Sequence, residues 1–534
     1  MEMYTVVPFL PTEEEEPLPG VSDFRGRPVC HANSGGWRSA FFVVAVEVAS
    51  TFASYGVSAN LIMYMTGPLG HSNAAAAAAM NVWSGTGSLM PLLGAFVADS
   101  WLGRYRSIIL GCTLYVLGYG MITLTSMLPS LPGDNVDFSS RPLSLKVALF
   151  YTSLYTLAFA HGANSPCGLA FAADQFDPDH PKECTARGSL FNWWYFSIAI
   201  GIAVAIATVS YTQENFGWAI GFGVPCAIMI CAFTVFLLGT PTYRLGVPIP
   251  GAKSPFVRLA RSLAIVLATK RHHQELQEVD EDAKTSEEAQ GVLRLLPIWA
   301  ACLAYGVVFA QIMTLFNKQS RTLDRRVFGA GMELPPAALQ TFGPVAILVF
   351  VPIYDRVLVP ALRSATGNPS GLTLLQRVGT GMAVSLAAMC VAALVEARRL
   401  ETAREHGLVD DASATVPMSW AWMVPQYVMI GVADVFAVVG MQEFFYDQMP
   451  DELRSLGLAL FSGVMGIGSF ISGALIYLID GVSSSDGGDS WFADNLNRAH
   501  LDYFYWLLAG LSAAELALYL YLARSYVYNH KTLR

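Results

Sequence analysis

The sequence predicts an all-α membrane protein with twelve transmembrane helices, and three observations lead to that prediction. Of the 534 residues, 54% are hydrophobic and only 14% are charged, whereas soluble domains usually carry about 25% charged residues. The mean hydropathy is +0.44. Twelve long apolar stretches follow one another along the chain, and each is long enough to cross a hydrocarbon core about 30 Å thick.

The first apolar stretch, residues 39–65, carries a single formal charge, Glu47. A carboxylate at the centre of a transmembrane helix costs roughly 2.5–3.5 kcal/mol on insertion scales. We expect it to persist only where it faces a partner or water in the interior of a bundle. This segment therefore predicts a polytopic protein with a polar path through its interior.

Eleven further stretches complete the predicted set, with ends uncertain by a few residues. Segments 2–12 are predicted over 73–98, 105–128, 146–172, 189–210, 217–239, 292–317, 336–359, 371–397, 418–448, 453–479 and 503–524. Segment 11 carries a small-residue surface that suits close helix approach. Its glycines are Gly463, Gly466, Gly468 and Gly473.

Hydrophilic segments divide the chain into five parts. Residues 1–36 are acidic and Pro-rich, without the basic and apolar regions of a cleavable signal peptide, and are predicted to form a disordered cytosolic tail. Six segments occupy 37–239 and six occupy 291–525. Between them, 240–290 is predicted to be a cytosolic linker whose residues 256–270 lie as a helix on the membrane surface. Residues 526–534 form a second cytosolic tail.

Lysine and arginine set the predicted orientation. With both termini inside, the inner side holds 22 of the 32 basic residues. Both termini are therefore predicted to be cytosolic, which agrees with an even number of crossings. Six crossings, a cytosolic linker and six crossings form the layout of the major facilitator fold, in which two six-helix bundles surround a site near the membrane midplane.

Composition and motifs argue against several other classes of protein. The net charge of −9 offers no basic face for nucleic acid. None of the eight cysteines forms a CxxC pair, so neither a metal site nor a disulfide framework is expected. No HExxH and no GxSxG within a helix occurs, so an enzyme is not expected. The expected partners are the lipid bilayer and a small-molecule substrate, with the proton gradient in place of a cofactor; the oligomeric state is left open.

The loop between segments 2 and 3 contains Gly94, Asp99, Gly103 and Arg104 in close succession. This short G…D…G-R turn resembles the signature loop of major facilitator transporters. Asp99 and Arg104 would then act as an ion-pair latch that reaches neighbouring helix ends and stabilises one of two states. The alternative is a charged loop that only follows the positive-inside rule.

Four further motifs are more specific. They read GANSPCGLAFAADQFD at 162–177, FNWWYF at 191–196, PIYDR at 352–356 and QEFFY at 442–446. Together they resemble the proton-dependent oligopeptide transporter family, most closely its plant nitrate/peptide branch, over about residues 37–525. The resemblance implies a secondary active transporter that moves small solutes by alternating access, commonly with protons. The solutes of that branch include nitrate, peptides, hormones and other metabolites.

The chain departs from the family at the positions that handle protons. Where relatives carry E-x-x-E-R in segment 1, this chain has Glu47, Ser50 and Thr51, so only the first acid remains. Ser165 replaces the lysine before the segment 4 proline. Asp434 takes the place of a glutamate in segment 10. Glu47 and Asp434 are therefore buried acids without an obvious buried cation, and burial favours the protonated, uncharged carboxyl.

Two departures concern the substrate. Nitrate-transporting relatives can have a histidine where this chain has Phe309, beside Gln311. Peptide-transporting relatives have an arginine where this chain has Ser58, and that arginine would hold a peptide carboxylate. Ordinary di- and tripeptides are therefore not the expected substrates.

His161 lies four residues before Ser165, so the two share a helix face. Imidazole changes its charge near physiological pH. We hypothesise that His161 partly replaces the missing lysine as the titratable partner of Asp434. The alternative is a neutral histidine that hydrogen-bonds between helices.

These residues predict one substrate cavity where segments 1, 4, 7 and 10 meet. Its candidate residues are Glu47, Ser50, Thr51, Tyr55, Ser58, Ser165, Phe309, Gln311 and Asp434. Because its usual cations are missing, this cavity is less suited to a small inorganic anion and more compatible with a weakly charged or neutral organic solute. Two alternatives to a proton-linked carrier stay open: an uncoupled facilitator or exchanger, and a transporter-like receptor. The expected location is the plasma membrane or the vacuolar membrane.

Overall fold

Long helices make up most of the computed structural model. The residues that it describes are 17–128, 145–177, 180–246, 292–327, 330–366, 372–449, 454–485 and 489–526. The predicted surface helix at 256–270 lies outside these ranges, together with most of the linker, residues 1–16 and residues 527–534.

Six helices precede the linker, and each overlaps one predicted segment. They are α1 Gly36–Thr66, α2 Asn73–Val97, α3 Arg104–Met127, α4 Leu145–Ala173, α5 Pro181–Asn215 and α6 Trp218–Gly239. Helix α2 begins after Ser72, whose side chain accepts a hydrogen bond from the Ala75 amide. Such a cap satisfies one of the backbone donors that the first turn leaves free.

In the part of the chain that the structure describes, nine helical pieces follow the linker, because two predicted segments are interrupted. They are α7 Val292–Ala300, α8 Leu303–Phe309, α9 Leu315–Arg321, α10 Phe342–Ile353, α11 Val359–Thr366, α12 Leu374–Glu405, α13 Val424–Asp447, α14 Arg454–Ser483 and α15 Leu501–Ser525. Helices α7 and α8 meet at an angle of 47°. A capping box between Thr373 and Gln376 begins α12.

The apolar helices identify a multi-pass integral membrane protein. In the described ranges, nine helices are long and apolar enough to cross a membrane, or ten if the bent pair α7–α8 is one span. Helices α2 and α4 are 25 and 29 residues long but are not among the nine. Both contain glycine and polar residues, which lower their mean hydropathy.

Residues 17–36, here called the strap, form a small sheet with the end of the first helical block. Strand β1 Pro17–Ser22 pairs antiparallel with β2 Pro28–Cys30 and with β3 Leu245–Gly246, which follows α6. The sequence predicts a disordered tail through residue 36, but residues 17–36 adopt this structure. Backbone pairing to a distant segment orders the strap despite its low hydrophobicity.

Two further pairs of short strands lie in the loops after α9. Strand β4 Leu323–Asp324 pairs in parallel with β7 Val416–Ser419, and β5 Arg326–Val327 pairs antiparallel with β6 Ala330–Glu333. The first pair joins the loop after α9 to the segment between α12 and α13. These strands therefore connect helix ends at one face of the molecule.

Arg244 is the centre of the contacts that hold the strap. Its guanidinium donates to Glu183 at the start of α5, to the Ser34 carbonyl at 2.7 Å and to the Gln175 carbonyl at 3.2 Å. Only 2% of its side chain is exposed. His31 of the strap lies 3.2 Å from Glu183 and 3.4 Å from Asp177. The strap, the exit of α4, the start of α5 and the exit of α6 therefore meet at one ion cluster.

Glycines bring α14 into backbone contact with α8 and with α2. A Cβ at Gly468 of α14 would lie 2.6 Å from the Cα of Gly306 in α8, and one at Gly85 of α2 would lie 2.8 Å from the Gly466 carbonyl. Real Cβ atoms do not come so close, so only glycine fits. The predicted small-residue surface of segment 11 is confirmed at Gly466 and Gly468. There α14 packs against α2, which precedes the linker, and against α8, which follows it.

Candidate functional site

A cavity of about 240 Å³ lies among α1, α2, α3, α4 and the end of α8. Four of the residues that the sequence proposes for the site line it: Tyr55, Ser58, His161 and Phe309. The first three come from helices before the linker and Phe309 comes from a helix after it. The cavity therefore lies where the two helical blocks meet.

Hydroxyl groups and apolar rings dominate the cavity wall. None of its lining residues is Asp, Glu, Lys or Arg. Ser58 donates to the Ser54 carbonyl at 2.7 Å, Ser88 to the Ser84 carbonyl at 3.0 Å and Thr314 to the Ala310 carbonyl at 2.8 Å. Because these hydroxyl protons are bound to their own helices, the oxygen lone pairs are the groups left to a solute.

His161 lies in a polar network between α3 and α4. Its Nδ1 is 3.2 Å from the Tyr115 hydroxyl, and the Tyr115 and Tyr119 rings stack with centroids 5.9 Å apart. The Tyr119 hydroxyl is in turn 3.2 Å from Ser54 on α1. His161 therefore combines access to the cavity with a hydrogen bond to a buried tyrosine.

Glu47 faces α4 in the interior of the first helical block. Its Oε2 accepts a hydrogen bond of 3.0 Å from Asn164. A Cβ at Gly168 would lie 2.9 Å from the same oxygen, so the glycine makes room for the carboxylate. The predicted interior position of Glu47 is thus observed, and its polar partner is an amide.

Asp434 on α13 accepts a hydrogen bond of 2.5 Å from the Tyr305 hydroxyl on α8. The hypothesis pairs Asp434 with His161, but in the described contacts each of the two bonds to a different tyrosine. Tyr305 is followed one turn later by Phe309, which lines the cavity. The carboxylate is therefore connected to the cavity wall through α8.

The other proposed cavity residues lie outside the cavity lining. They are Glu47, Ser50, Thr51, Ser165, Gln311 and Asp434, so segment 10 contributes no residue to the described lining. Ser50 donates to the Glu47 carbonyl at 3.0 Å. Gln311 is buried and donates to the Val307 carbonyl and to Ser472 of α14, both at 2.8 Å. Gln311 lies in the turn between α8 and α9, and from there it contacts α14.

Two side chains contact the Ala59 carbonyl of α1, next to Ser58 of the cavity lining. Asn317 on α9 donates to this oxygen at 2.7 Å, and Gln340 donates to it at 2.8 Å. Lys318 adds a hydrogen bond of 3.0 Å to Thr66 at the end of α1. We call the contacts of Asn317 and Gln340 with Ala59 the Ala59 lock. It joins helices from before and after the linker at the Thr66 end of α1.

The loop after α2 carries the proposed latch. Arg104 donates to both oxygens of Asp174 at the exit of α4, at 2.8 and 2.6 Å. Asp99 lies in the π-helical turn Ala98–Leu102, and its side chain is not among those described. The ion pair that the structure describes at this loop therefore connects α3 with α4.

Sequence reasoning did not identify several of these partners. Tyr115, Asn164 and Tyr305 are polar residues in apolar segments, and Asn164 lies one turn from His161 on the same helix. The spacing between Asn164 and His161 is the feature of the sequence that could have identified Asn164. In the described residues, no group of three or more His, Cys, Asp or Glu side chains is arranged to hold a metal ion.

Comparisons with known proteins agree with this architecture. The family profile PTR2, described as the POT family, matches residues 105–492. The chain is 50% identical to Protein NRT1/PTR FAMILY 5.10 of Arabidopsis thaliana, over 96% of this chain and 97% of that protein. It is 46% identical to Protein NRT1/PTR FAMILY 5.13 of the same plant, over 97% and 98% of the two chains.

Solved structures share the fold. A crystal structure of an auto-inhibited POT family peptide transporter superposes with a TM-score of 0.72 at 20% identity, covering 92% of this chain and 98% of that one. The in meso crystal structure of the POT family transporter PepTSo gives a TM-score of 0.69 at 19% identity, covering 92% and 98%. The relatives and the solved structures match nearly the whole chain, and the family profile agrees with them over residues 105–492. The chain belongs to the POT family and is a membrane transporter of small solutes, not an enzyme.

Proposed function

We propose that this protein is a secondary active transporter with twelve crossings in two six-helix bundles, which exposes its site alternately to the two sides of the membrane. The observation that carries the proposal is the cavity between helices from before and after the linker. The Ala59 lock and the Lys318–Thr66 hydrogen bond together close the Thr66 end of α1 with three side-chain contacts across the two blocks. A site closed at one end by breakable polar contacts suits alternating access.

Orientation and location extend the proposal. If both termini are cytosolic, as the lysine and arginine distribution favours, the Ala59 lock closes the outward side. Arg104 with Asp174 then lies on the cytosolic side, where Asp99 and Arg104 serve as a latch. The plasma membrane and the vacuolar membrane both accommodate this arrangement.

Proton coupling through Glu47, His161 and Asp434 is the second part of the proposal. Glu47 and Asp434 hydrogen-bond to neutral groups, Asn164 and Tyr305, in the described contacts. A buried carboxyl that lacks a cation favours binding a proton. His161 lines the cavity and lies beside Tyr115, so a solute in the cavity can change how readily His161 binds a proton.

The test is uptake by the purified protein in sealed vesicles, with and without an inward proton gradient. We expect uptake to rise with the gradient and His161→Ala to remove most of that rise. His71→Ala is the matched control, because His71 also lies beside a tyrosine, with its Nε2 3.4 Å from the Tyr151 hydroxyl, but outside the cavity. Equal uptake with and without the gradient would indicate a facilitator or exchanger. Binding without any flux would indicate a receptor.

The relatives' names suggest solute classes, since they belong to an NRT1/PTR family and solved neighbours include peptide transporters. For this chain, nitrate, peptide-like, hormone and other organic solutes are all candidates. Ser58 and Phe309 line the cavity without adding a charge. Their position supports an organic solute over a small inorganic anion or an ordinary peptide.

A further inference from the structure

We infer that the substrate is an uncharged molecule with an apolar ring at one end and several hydroxyl groups at the other, of the chemical class of an aryl glycoside. The inference rests on the proposed transport function and specifies its solute. Its basis is the side chains that line the 240 Å³ cavity. The volume is slightly below the roughly 300–1,000 Å³ of typical small-molecule sites, which favours a solute of modest size.

Charge is the first argument. The cavity wall contains no Asp, Glu, Lys or Arg among its described residues, and His161 is its one imidazole. A charged solute would lose its hydration there without gaining an opposite charge, which is strongly unfavourable. The nearest acids of the proton-handling set, Glu47 and Asp434, are outside the lining and are bonded to Asn164 and Tyr305. Asp434 interacts electrostatically with Tyr55 of the wall, but its carboxylate is held by the Tyr305 hydroxyl and neither acid is part of the lining.

Hydrogen-bonding capacity is the second argument. Ser58, Ser88 and Thr314 use their protons on carbonyls of their own helices. Their oxygens consequently present acceptors to the cavity, and a solute rich in O–H donors complements them. The Tyr55 hydroxyl, which has no hydrogen-bond partner among the described contacts, adds a group that both donates and accepts.

The apolar part of the wall is the third argument. Met80, Trp83, Phe309 and Met313 line the same cavity. The Trp83 indole N–H is bound to the Leu154 carbonyl at 2.7 Å, so this ring offers the solute its apolar surface. Aromatic and thioether side chains pack favourably against a flat ring. Hydroxyl oxygens and ring-packing side chains thus occur in one uncharged cavity.

The test uses three probes that differ mainly in charge: phenyl glucoside, phenyl glucuronide, which carries a carboxylate, and phenyl glucosaminide, which carries an ammonium group. Competition and uptake are measured with the full-length protein in vesicles, and binding is measured by thermal stabilisation in detergent. We expect the neutral glucoside to bind and be transported at least about tenfold better than either charged probe, a ratio equivalent to 1.4 kcal/mol.

Two variants test the site. Ser58→Arg places a cation in the cavity and should reverse the order, so that the glucuronide is preferred over the glucosaminide and the glucoside. Tyr55→Phe removes one hydroxyl and should weaken glucoside binding several-fold. Thermal unfolding of each variant without probe shows whether it folds.

The outcomes separate the two proposals. Equal or better binding of a charged probe by the unchanged protein overturns the inference, as does a Ser58→Arg variant that folds but keeps the original order. Transport of nitrate or a dipeptide, with none of the three probes bound, overturns the inference and leaves the transport proposal standing. Preferential binding of the glucoside without flux of any solute supports the inference and overturns the transport proposal.

Discussion

Arg244 and Glu183 form a two-point ion pair, in which the guanidinium donates to one carboxylate oxygen at 2.7 Å and to the other at 3.1 Å. Glu183 also accepts a hydrogen bond of 2.7 Å from the Asp177 amide. This geometry fixes both side chains, as expected for a bidentate arginine–carboxylate pair. The pair therefore joins the start of α5 to the segment between α6 and β3.

This ion pair predicts acid-sensitive stability. Burial alone would raise the pKa of Glu183, but the hydrogen bonds from Arg244 and the Asp177 amide lower it from 4.5 to about 2. A lowered pKa contributes stability that is fully present above pH 4.5 and is lost as the pH falls towards 2. We expect Glu183→Gln to lower the melting temperature in detergent at pH 7, and this deficit to shrink as the pH falls below 4.5.

Glu333→Gln is the control for this experiment. Glu333 also pairs with an arginine, at 3.4 Å from Arg325, but 60% of its side chain is exposed. Exposed ion pairs contribute about 0–1 kcal/mol, whereas removing one partner of a buried pair costs roughly 3 kcal/mol or more. Equal effects of the two substitutions would show that the Arg244 pair does not hold the strap.

Gly35 predicts a steric effect at the same cluster. Its φ is +71°, and a Cβ there would overlap the Arg244 guanidinium. Gly26 has a similar φ of +75° with no atom within 4 Å of its Cβ position. Both alanine variants incur backbone strain of about 1–2 kcal/mol. We expect Gly35→Ala to lower the melting temperature clearly more than Gly26→Ala, because it alone also displaces Arg244; similar melting temperatures would argue against the packing described.

The membrane helices could be predicted from the sequence, but the contacts of the strap could not. Hydropathy identifies long apolar segments and the unusual position of Glu47, because both follow from the cost of burying charge in lipid. The partners of Arg244 lie near positions 31, 175 and 183. No periodic pattern in the sequence links residues so far apart. Gln311 illustrates another limit. Helical spacing assigns it a face, but the turn between α8 and α9 directs it to Ser472.

Glu515 on α15 is predicted to stabilise the bend between α7 and α8. Its two carboxylate oxygens accept from the Ala304 amide at 2.8 and 2.7 Å, at the start of α8. These hydrogen bonds connect α15 with α8. Glu515→Leu would leave the Ala304 amide buried without an acceptor, at a cost of about 1–3 kcal/mol.

The measurement compares Glu515→Leu with Glu515→Gln, which keeps one acceptor oxygen at the same place. We expect the leucine variant to melt at a lower temperature and to transport more slowly, because α8 carries Tyr305 and Phe309. The glutamine variant should retain most of both properties. Loss of both in the glutamine variant would instead indicate that the charge of Glu515 is required.

The Ala59 lock predicts a shift between conformations. Removing both amides, by Asn317→Ala with Gln340→Ala, should favour opening at the Thr66 end of α1. A cysteine placed at Ser58 in a cysteine-free background should then react several-fold faster with a membrane-impermeant maleimide applied from that side. Asn215→Ala is the control, since this exposed amide donates only within its own helix, to the Tyr211 carbonyl at 2.9 Å. An unchanged labelling rate would show that the lock does not control access.

The pairing of β1 with β3 has a consequence for biosynthesis. Strand β1 begins at residue 17, and its partner in the sheet is not made until residues 245–246 leave the ribosome. Strand β1 can pair with β2 within the strap at once, but its β3 edge must wait, unpaired, while α1–α6 are inserted. Once β3 emerges, the sheet and the Arg244 cluster can form together, so the first helical block can be sealed at the strap before the ribosome has translated α7.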